Sequence, residues 1–311
     1  MKKIVLLASG GDAPGMNACI EAIYRNANAQ GIQLYAALNG FDGLVDEKFV
    51  QISPYMVRGI STKSGCTFKC GRSKRVMEKI GFSAAIATIK KNKFDVLIVL
   101  GGNGSIIGAG RFRSAGINTL FIPATIDNDI EYTKHALGFS SACEGAVKMI
   151  DMLKATMGTT GRDHIVQLMG RSSNQLTNRV GTATFADVID MNGARYTPEQ
   201  VAKIFCDNRK AGRTSSFCIT QERIGGEQIK EMMNGFDFTQ KIRDAAKDQS
   251  ICFSSLGYLQ RGAEPSCYDR FLAALYGATA VDCIQKNQFG TCISAVNDAP
   301  VLVDLPYAPI P

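Results

Sequence analysis

Asp95-Val96-Leu97-Ile98-Val99-Leu100-Gly101-Gly102-Asn103-Gly104-Ser105 passes from an unbroken apolar run straight into a glycine-rich turn. Consecutive Val, Leu and Ile residues bounded by a charge and by glycines read as a strand buried on both faces, the habit of a parallel sheet. The pattern that follows, Ser105 to Ala115, is helical. A strand that turns through glycines into a helix offers an anion the free N–H groups of the helix start and lets a ligand approach the backbone closely.

The same device stands at the N-terminus. Lys3 to Ser9 reads as a strand, Ser9-Gly10-Gly11-Asp12-Ala13-Pro14-Gly15-Met16-Asn17 as the turn, and a helix runs from about Gly15 to Ala29. The turn is neither a Walker A loop, since no Gly-Lys-Ser/Thr follows, nor a Gly-x-Gly-x-x-Gly fingerprint. A third apolar run, Thr119-Leu120-Phe121-Ile122-Pro123-Ala124-Thr125-Ile126-Asp127-Asn128-Asp129-Ile130, opens into two carboxylates. Taken singly, each also reads as a tight or Asx-rich turn. Together they would line one sheet edge, and the crevice outside strand carboxyl ends is where open α/β sheets bind ligands.

Strands continue to alternate with helices: Ile32 to Leu38 and Ile165 to Met169 as strands, Phe82 to Lys91 and Ala142 to Met157 as helices. Further on come a helix near Leu176 to Ala183, a strand at Asp187 to Asp190, a strand at Ser216 to Thr220, and a polar helical or loop-like stretch from Gly225 to Gln249. Thr197-Pro198 marks another helix start, with Thr197 as N-cap. The alternation predicts an α/β protein of two lobes, each a doubly wound and mostly parallel sheet. Arg162, Met169-Gly170-Arg171, Gln221-Glu222-Arg223 and Gln260-Arg261-Gly262 place polar groups at the ends of apolar runs, where arginines suit phosphate oxygens.

Composition narrows the function classes. The 311 residues are 45% hydrophobic and 20% charged, which suits a globular protein with a sizeable core. No apolar run reaches the 18 or so residues of a membrane span, and the N-terminal stretch reads as a strand rather than a signal peptide. The net charge of +7 is spread out, apart from Lys69, Arg72, Lys74 and Arg75, with no aromatic-interleaved basic stripe for nucleic acid. Ten scattered cysteines suit reduced thiols in the cytoplasm. Cys66 and Cys70 are the closest pair, but no second pair or nearby histidine completes a zinc site. With two histidines, His135 and His164, there is little material for histidine-activated nucleophiles.

Gly10-Gly11-Asp12-Ala13-Pro14-Gly15-Met16-Asn17, the Gly101-Gly102-x-Gly104-Ser105 turn, Pro123-x-Thr125-Ile126-Asp127-Asn128-Asp129, Met169-Gly170-Arg171 and Leu256-Gly257-x-x-Gln260-Arg261-Gly262 resemble, in order and spacing, the bacterial ATP-dependent 6-phosphofructokinase family. The resemblance runs over nearly the whole chain. It implies transfer of a phosphoryl group from ATP to fructose 6-phosphate in glycolysis, with Mg2+ as cofactor, and a cytoplasmic homotetramer or an assembly with a related subunit. It places a nucleotide lobe at residues 1–138 plus about 251–300, and a sugar-phosphate lobe at 139–250 plus about 301–311. Nucleic acid and membranes are not expected partners. Asp127 would be the base that takes the sugar hydroxyl proton, with Thr125 and Arg171 stabilising the transferring group. Gly11, Arg72, Gly102, Gly104 and Ser105 would hold ATP, and Asp129 and Asn103 the metal. Gly104 looks like the ATP-using members, since pyrophosphate-using relatives carry Asp there. Arg162, reaching from a neighbouring subunit, would join Met169, Gly170, Glu222, Tyr258 and Arg261 around the sugar phosphate.

The chain departs from the family pattern at several places. Asn103 stands where an aspartate is usual, and an amide oxygen brings no charge to a cation. Tyr258 replaces a sugar-phosphate histidine and Phe253 a second intersubunit arginine; losing a charge-assisted bond costs roughly 1.5–3 kcal/mol. Ala124 replaces a glycine, and the small-residue stretch usual after Arg171 becomes Ser172-Ser173-Asn174-Gln175-Leu176-Thr177-Asn178-Arg179. At the positions of the family's effector site, Arg25 remains and Asp187 replaces a glutamate, with Lys154 and Arg213 as candidate substitutes, while Glu21 and Pro54 stand where arginines are typical, which implies weak or absent regulation by ADP. Three readings therefore stand: a working 6-phosphofructokinase, a slow or non-catalytic paralogue that binds nucleotide or an active partner subunit, and a sugar kinase with an altered acceptor.

Overall fold

The computed structural model describes residues 1–131, 133–171, 173–190, 196–225 and 232–311, and every count or absence below refers to these. Ser172 and residues 226–231, which fall in stretches discussed above, lie outside them. The chain divides into two units, residues 1–141 with 264–311, and residues 142–263.

The first unit opens with β1 (Lys3–Ser9), α1 (Met16–Ala29), β2 (Gln33–Ala37), the short α2 (Phe41–Val45), β3 (Phe49–Gln51), α3 (Pro54–Val57) and β4 (Cys70–Gly71). It continues through α4 (Lys79–Lys91), β5 (Val96–Gly101), α5 (Asn103–Ser114) and β6 (Thr119–Pro123), to the start of α6 (Phe139–Thr160). The second unit takes the rest of α6, then β7 (His164–Leu168), α7 (Gln175–Ala183), β8 (Val188–Asp190), α8 (Pro198–Lys210), β9 (Phe217–Gln221), α9 (Gly235–Ala246) and β10 (Cys252–Ser255). The chain then returns to the first unit as α10 (Cys267–Gln285), β11 (Thr291–Val296) and β12 (Ala299–Asp304).

In the first unit the strand order is β12-β11-β6-β5-β1-β2-β3, with β4 paired to the end of β1. The pairs β11–β6, β6–β5, β5–β1 and β1–β2 are parallel, while the edge pairs β2–β3 and β11–β12 are antiparallel. β5 is buried along its whole length, which accounts for its continuous apolar composition. Alternate residues Val5, Leu7, Leu97 and Val99 join Phe41, Phe82, Ala109, Phe112 and Phe121 in one core, as the two-residue period of a strand requires. From β1 the chain moves to β2 on one side and later to β5 on the other, so the order in which strands are added reverses between β1 and β5. Crevices form at such reversals, outside the strand carboxyl ends.

The second unit holds a four-stranded parallel sheet, β10-β7-β9-β8, over a core that includes Ile165, Val188, Val201, Phe205, Cys218, Phe238 and Ile242. α8 starts as the sequence predicts. Thr197 accepts from the Gln200 amide, the Gln200 side chain accepts from the Thr197 amide, and Pro198 occupies the first turn. The lobe boundaries expected from sequence need correction at two strands. β10 pairs with β7 and belongs to the second unit, whereas β12 pairs with β11 and belongs to the first.

One buried carboxylate ties the first unit together. Asp269, fully buried on α10, accepts from the amides of Gly138 (3.0 Å) and Ser141 (2.8 Å) and from the Ser141 hydroxyl (2.5 Å) at the start of α6. A negative charge suits a helix N-terminus. The Ser141 hydroxyl in turn accepts from the Ser266 amide at 2.9 Å, and Ser266 caps α10. Replacing Asp269 by alanine leaves these buried donors unsatisfied, at about 1–3 kcal/mol each. We expect Asp269→Ala to lower unfolding stability by at least about 3 kcal/mol in urea titration; a loss below about 1 kcal/mol would show that the cap is dispensable.

Candidate functional site

Because β1, β5 and β6 are adjacent and parallel, the loops leaving their carboxyl ends lie side by side. The first loop begins at Gly10 and ends at Gly15, both with left-handed backbone (φ 92° and 104°) that only glycine adopts without strain. The Gly10 amide donates to the Gly71 carbonyl at 3.0 Å, so β4 braces this loop from one side. Gly11 is exposed and Asp12 half-buried. Arg72, also exposed, follows directly on Gly71, whose partner in β1 is Ser9. Arg72 therefore leaves the sheet beside the first loop.

The second loop is shorter still, for α5 begins two residues after β5 ends. Gly101 has no room for a side chain: a Cβ there would sit 2.4 Å from Ser105 Oγ and 2.7 Å from the Ser9 carbonyl oxygen. At Gly104, by contrast, nothing lies within 4 Å. The first turn of α5 is thus open at Gly104, carries no acidic residue and has no side-chain cap, while the Ser105 and Ile106 amides both bond to the Gly102 carbonyl. That is an anion site in waiting.

The third loop packs against the second. A Cβ on Gly102 would lie 3.4 Å from the Thr125 Cβ, and the Ala124 amide donates to the Gly101 carbonyl at 2.8 Å. Thr125 Oγ1 accepts from the Asp127 amide at 3.2 Å, which folds the carboxylate turn. Thr125 and Asp127 are buried, Asp127 to 5% exposure, and Asp129 is half-buried. Asn128, with φ 47°, braces the turn by accepting from the Ala136 amide and donating to the Lys134 carbonyl. The Asn103 side chain donates to the Asp129 carbonyl at 3.1 Å, tying the first turn of α5 to the carboxylates.

Asp127, Asp129 and Asn103 offer hard oxygen donors of the kind magnesium uses. Among the described residues no cluster of three or more His, Cys, Asp or Glu could hold an ion by itself. A cation held by one or two carboxylates together with substrate phosphates fits this donor set; a cation caged by protein alone does not. At Cys66, burial pushes the thiol up to about 12, far from a thiolate at neutral pH.

In the second unit, Met169, Gly170 and Arg171 follow β7, and Glu222 follows β9. The Arg171 amide donates to Glu222 Oε2 at 3.2 Å, so these neighbouring strand ends are linked. After β10, a single 3-10 turn (Gly257–Gln260) carries Tyr258, which is 81% exposed, and leads to the half-buried Arg261. Phe253 on β10 meets the Phe236 ring edge-on at 6.1 Å. Arg162 does not join this group: it lies before β7, at the other end of a strand that spans roughly 16 Å at about 3.3 Å per residue. Sequence reasoning missed Asp269 and gave Asn17 no role of its own within its motif, because each, buried beside the first loop, is fixed by partners far away in the chain.

Strand-to-helix glycine loops and an open helix start at the reversal point of a parallel sheet define an α/β protein built to hold phosphate groups. A family model described as Phosphofructokinase matches residues 3–284, and the chain belongs to that family. It is 33% identical over 299 residues to an ATP-dependent 6-phosphofructokinase of Streptococcus uberis, covering 96% of this chain and 86% of the relative. It is 34% identical over 288 residues to one from Persephonella marina, covering 91% and 86%. The solved phosphofructokinase from Saccharomyces cerevisiae superposes with a TM-score of 0.89 at 25% identity over 98% of this chain; the chain spans 45% of that longer one.

The two glycines flanking β5 and α5 make opposite predictions. Gly101→Ala forces backbone and Ser105 apart and should cost about 1–3 kcal/mol, as overpacking does. Gly104→Ala enters open space and should leave the melting temperature unchanged or slightly raised. Thermal unfolding of the pair checks the loop geometry; equal losses would contradict it.

Proposed function

We propose that the chain is an ATP-dependent 6-phosphofructokinase, transferring the terminal phosphoryl group of ATP to the 1-hydroxyl of fructose 6-phosphate. The observation that carries this reading is the placement of the buried Thr125–Asp127 turn directly against the open first turn of α5. The names of the relatives at 33–34% identity supply the reaction. Asp127 is assigned as the base for the hydroxyl proton, and Thr125 and Arg171 are assigned to the developing phosphoryl charge. Such transfer depends on positioning and charge neutralisation more than on covalent chemistry. ATP phosphates are assigned to Gly11, Gly102, Gly104 and Ser105 with Arg72, and magnesium, which neutralises phosphate charge when bound, to Asp129 and Asn103. Met169, Gly170, Glu222, Tyr258 and Arg261 are assigned to the sugar phosphate. The position of Arg162 at the far end of β7 favours its service to a neighbouring subunit, within a homotetramer or an assembly with a related chain. No described helix is long and apolar enough to cross a membrane, and a cytoplasmic location goes with the glycolytic role.

A second reading, a slow or non-catalytic paralogue, is favoured by one observation. The Asn103 amide is engaged with the Asp129 carbonyl and adds no charge to the two carboxylates. A coupled assay with ATP, magnesium and a panel of free and phosphorylated sugars separates the two. Turnover on fructose 6-phosphate, lost by about 10²–10⁴-fold in Asp127→Asn, is expected. Nucleotide binding without turnover on any sugar would support the second reading. Where the metal contacts limit the rate, Asn103→Asp raises it and lowers the magnesium requirement; an unchanged rate removes that explanation.

Regulation by ADP is expected to be weak. Glu21 is buried, which opposes its ionisation, but the Ser61 amide (2.9 Å) and the Arg25 guanidinium outweigh burial and hold its carboxyl below the ordinary range. Arg25 is therefore already paired, as Arg213 is with Asp187. Titration with ADP should change the fructose 6-phosphate half-saturation by less than about twofold; strong activation would overturn this expectation.

A further inference from the structure

Asn17 stands in the second position of α1, directly after the first glycine loop, and is 2% exposed. In the first turn of a helix an asparagine side chain commonly bonds to local backbone. Here the amide serves a segment some 50 residues further on. Both its hydrogens are donated, to the carbonyls of Lys63 and Ser64 at 3.1 Å each. Its oxygen accepts twice, from the Thr67 amide at 2.7 Å and the Thr67 hydroxyl at 2.9 Å. Two donors and two lone pairs exhaust what an asparagine side chain can make. Aspartate would turn an oxygen toward two carbonyls, and glutamine is one methylene too long.

The segment so held leads without slack to the candidate phosphate loop. After Thr67 come Phe68, whose carbonyl accepts from the Asn39 amide, and Lys69 with φ 61°. β4 follows, with Cys70 set against Ala8 and Gly71 against Ser9. The Gly71 carbonyl accepts from the Gly10 amide, and Arg72 comes next. Beyond it, Ser73 donates to Asp42 at 2.6 Å, so Arg72 is suspended between two fixed points. We infer that Asn17 is a positioning residue for the nucleotide: by clamping residues 63–67 it fixes both the Gly10–Gly11 backbone and the root of Arg72. The inference rests on the nucleotide reading above, and it adds a residue that touches no substrate.

Steady-state kinetics on the full-length enzyme test it, with Asn17→Asp, Thr67→Val and Thr67→Ser alongside wild type. A positioning role moves one constant selectively. Asn17→Asp should raise KM for ATP about tenfold or more, as small misplacements of phosphate-binding groups do, while KM for fructose 6-phosphate stays within about twofold. Thr67→Val, which loses only the hydroxyl bond, should shift KM for ATP by a few-fold in the same direction, and Thr67→Ser should restore it. Hydrogen exchange at the Thr67 and Gly10 amides should quicken in step with the KM shift. Should Asn17→Asp fail to fold, the Thr67 pair decides alone. An unmoved KM for ATP in both Asn17→Asp and Thr67→Val, or equal rises for both substrates, overturns the inference and leaves the proposed function standing. Wild-type protein that binds no ATP overturns both.

Discussion

The constraint on which the rest depends is the absence of space at Gly101. β5 lies between β1 and β6 in parallel, and its last residue is wedged between the Ser9 carbonyl and Ser105. Only a residue without a side chain fits there, and its presence lets the chain turn at once into α5, so the helix begins at the carboxyl end of the strand. The Ala124 amide bonds back to the Gly101 carbonyl, which sets the carboxylate turn at the same height. A helix start, a threonine hydroxyl and a buried aspartate thus meet at the carboxyl ends of two adjacent strands.

Electrostatics at this edge are uneven. Asp127 and Asp129 bring carboxylates next to a helix start that attracts anions, and Asn103, bonded to the Asp129 carbonyl, brings no charge. An incoming phosphate is favoured by the helix and opposed by the carboxylates, which is the situation a divalent cation relieves. Arg75, one turn beyond Arg72, is already engaged by Asp46 at 2.7 Å. Arg72 on its brace is therefore the cation next to the first loop that carries weight in the proposed function.

Much of this was legible in the sequence, for reasons that differ between elements. β1, β5 and β6 are buried on both faces, so their apolar runs stand out, and the glycines and paired carboxylates after them are residue types a core has no use for. The cap of α8 was readable because Thr197, Pro198 and Gln200 act within one turn. β10 and β12 were placed in the wrong units because a strand's partner is decided by long-range pairing that leaves no local mark. β3 and β4 are only two or three residues long and are held mainly by neighbours. In the site, Asn17 could be read only as part of a motif, since the loop it clamps lies far along the chain.

The discontinuity of the first unit has a consequence for how the molecule comes into being. Residues 142–263 are contiguous and can close on themselves as soon as they are made. The first unit must wait. Until residues 264–311 arrive, β6 is an unpaired strand edge, α1 lacks the face of α10, and the start of α6 lacks the carboxylate of Asp269. An open strand edge invites association with other chains. Synthesis from the N-terminus thus supplies the whole second unit before the strands β11 and β12 that cover the side of β6 in the first.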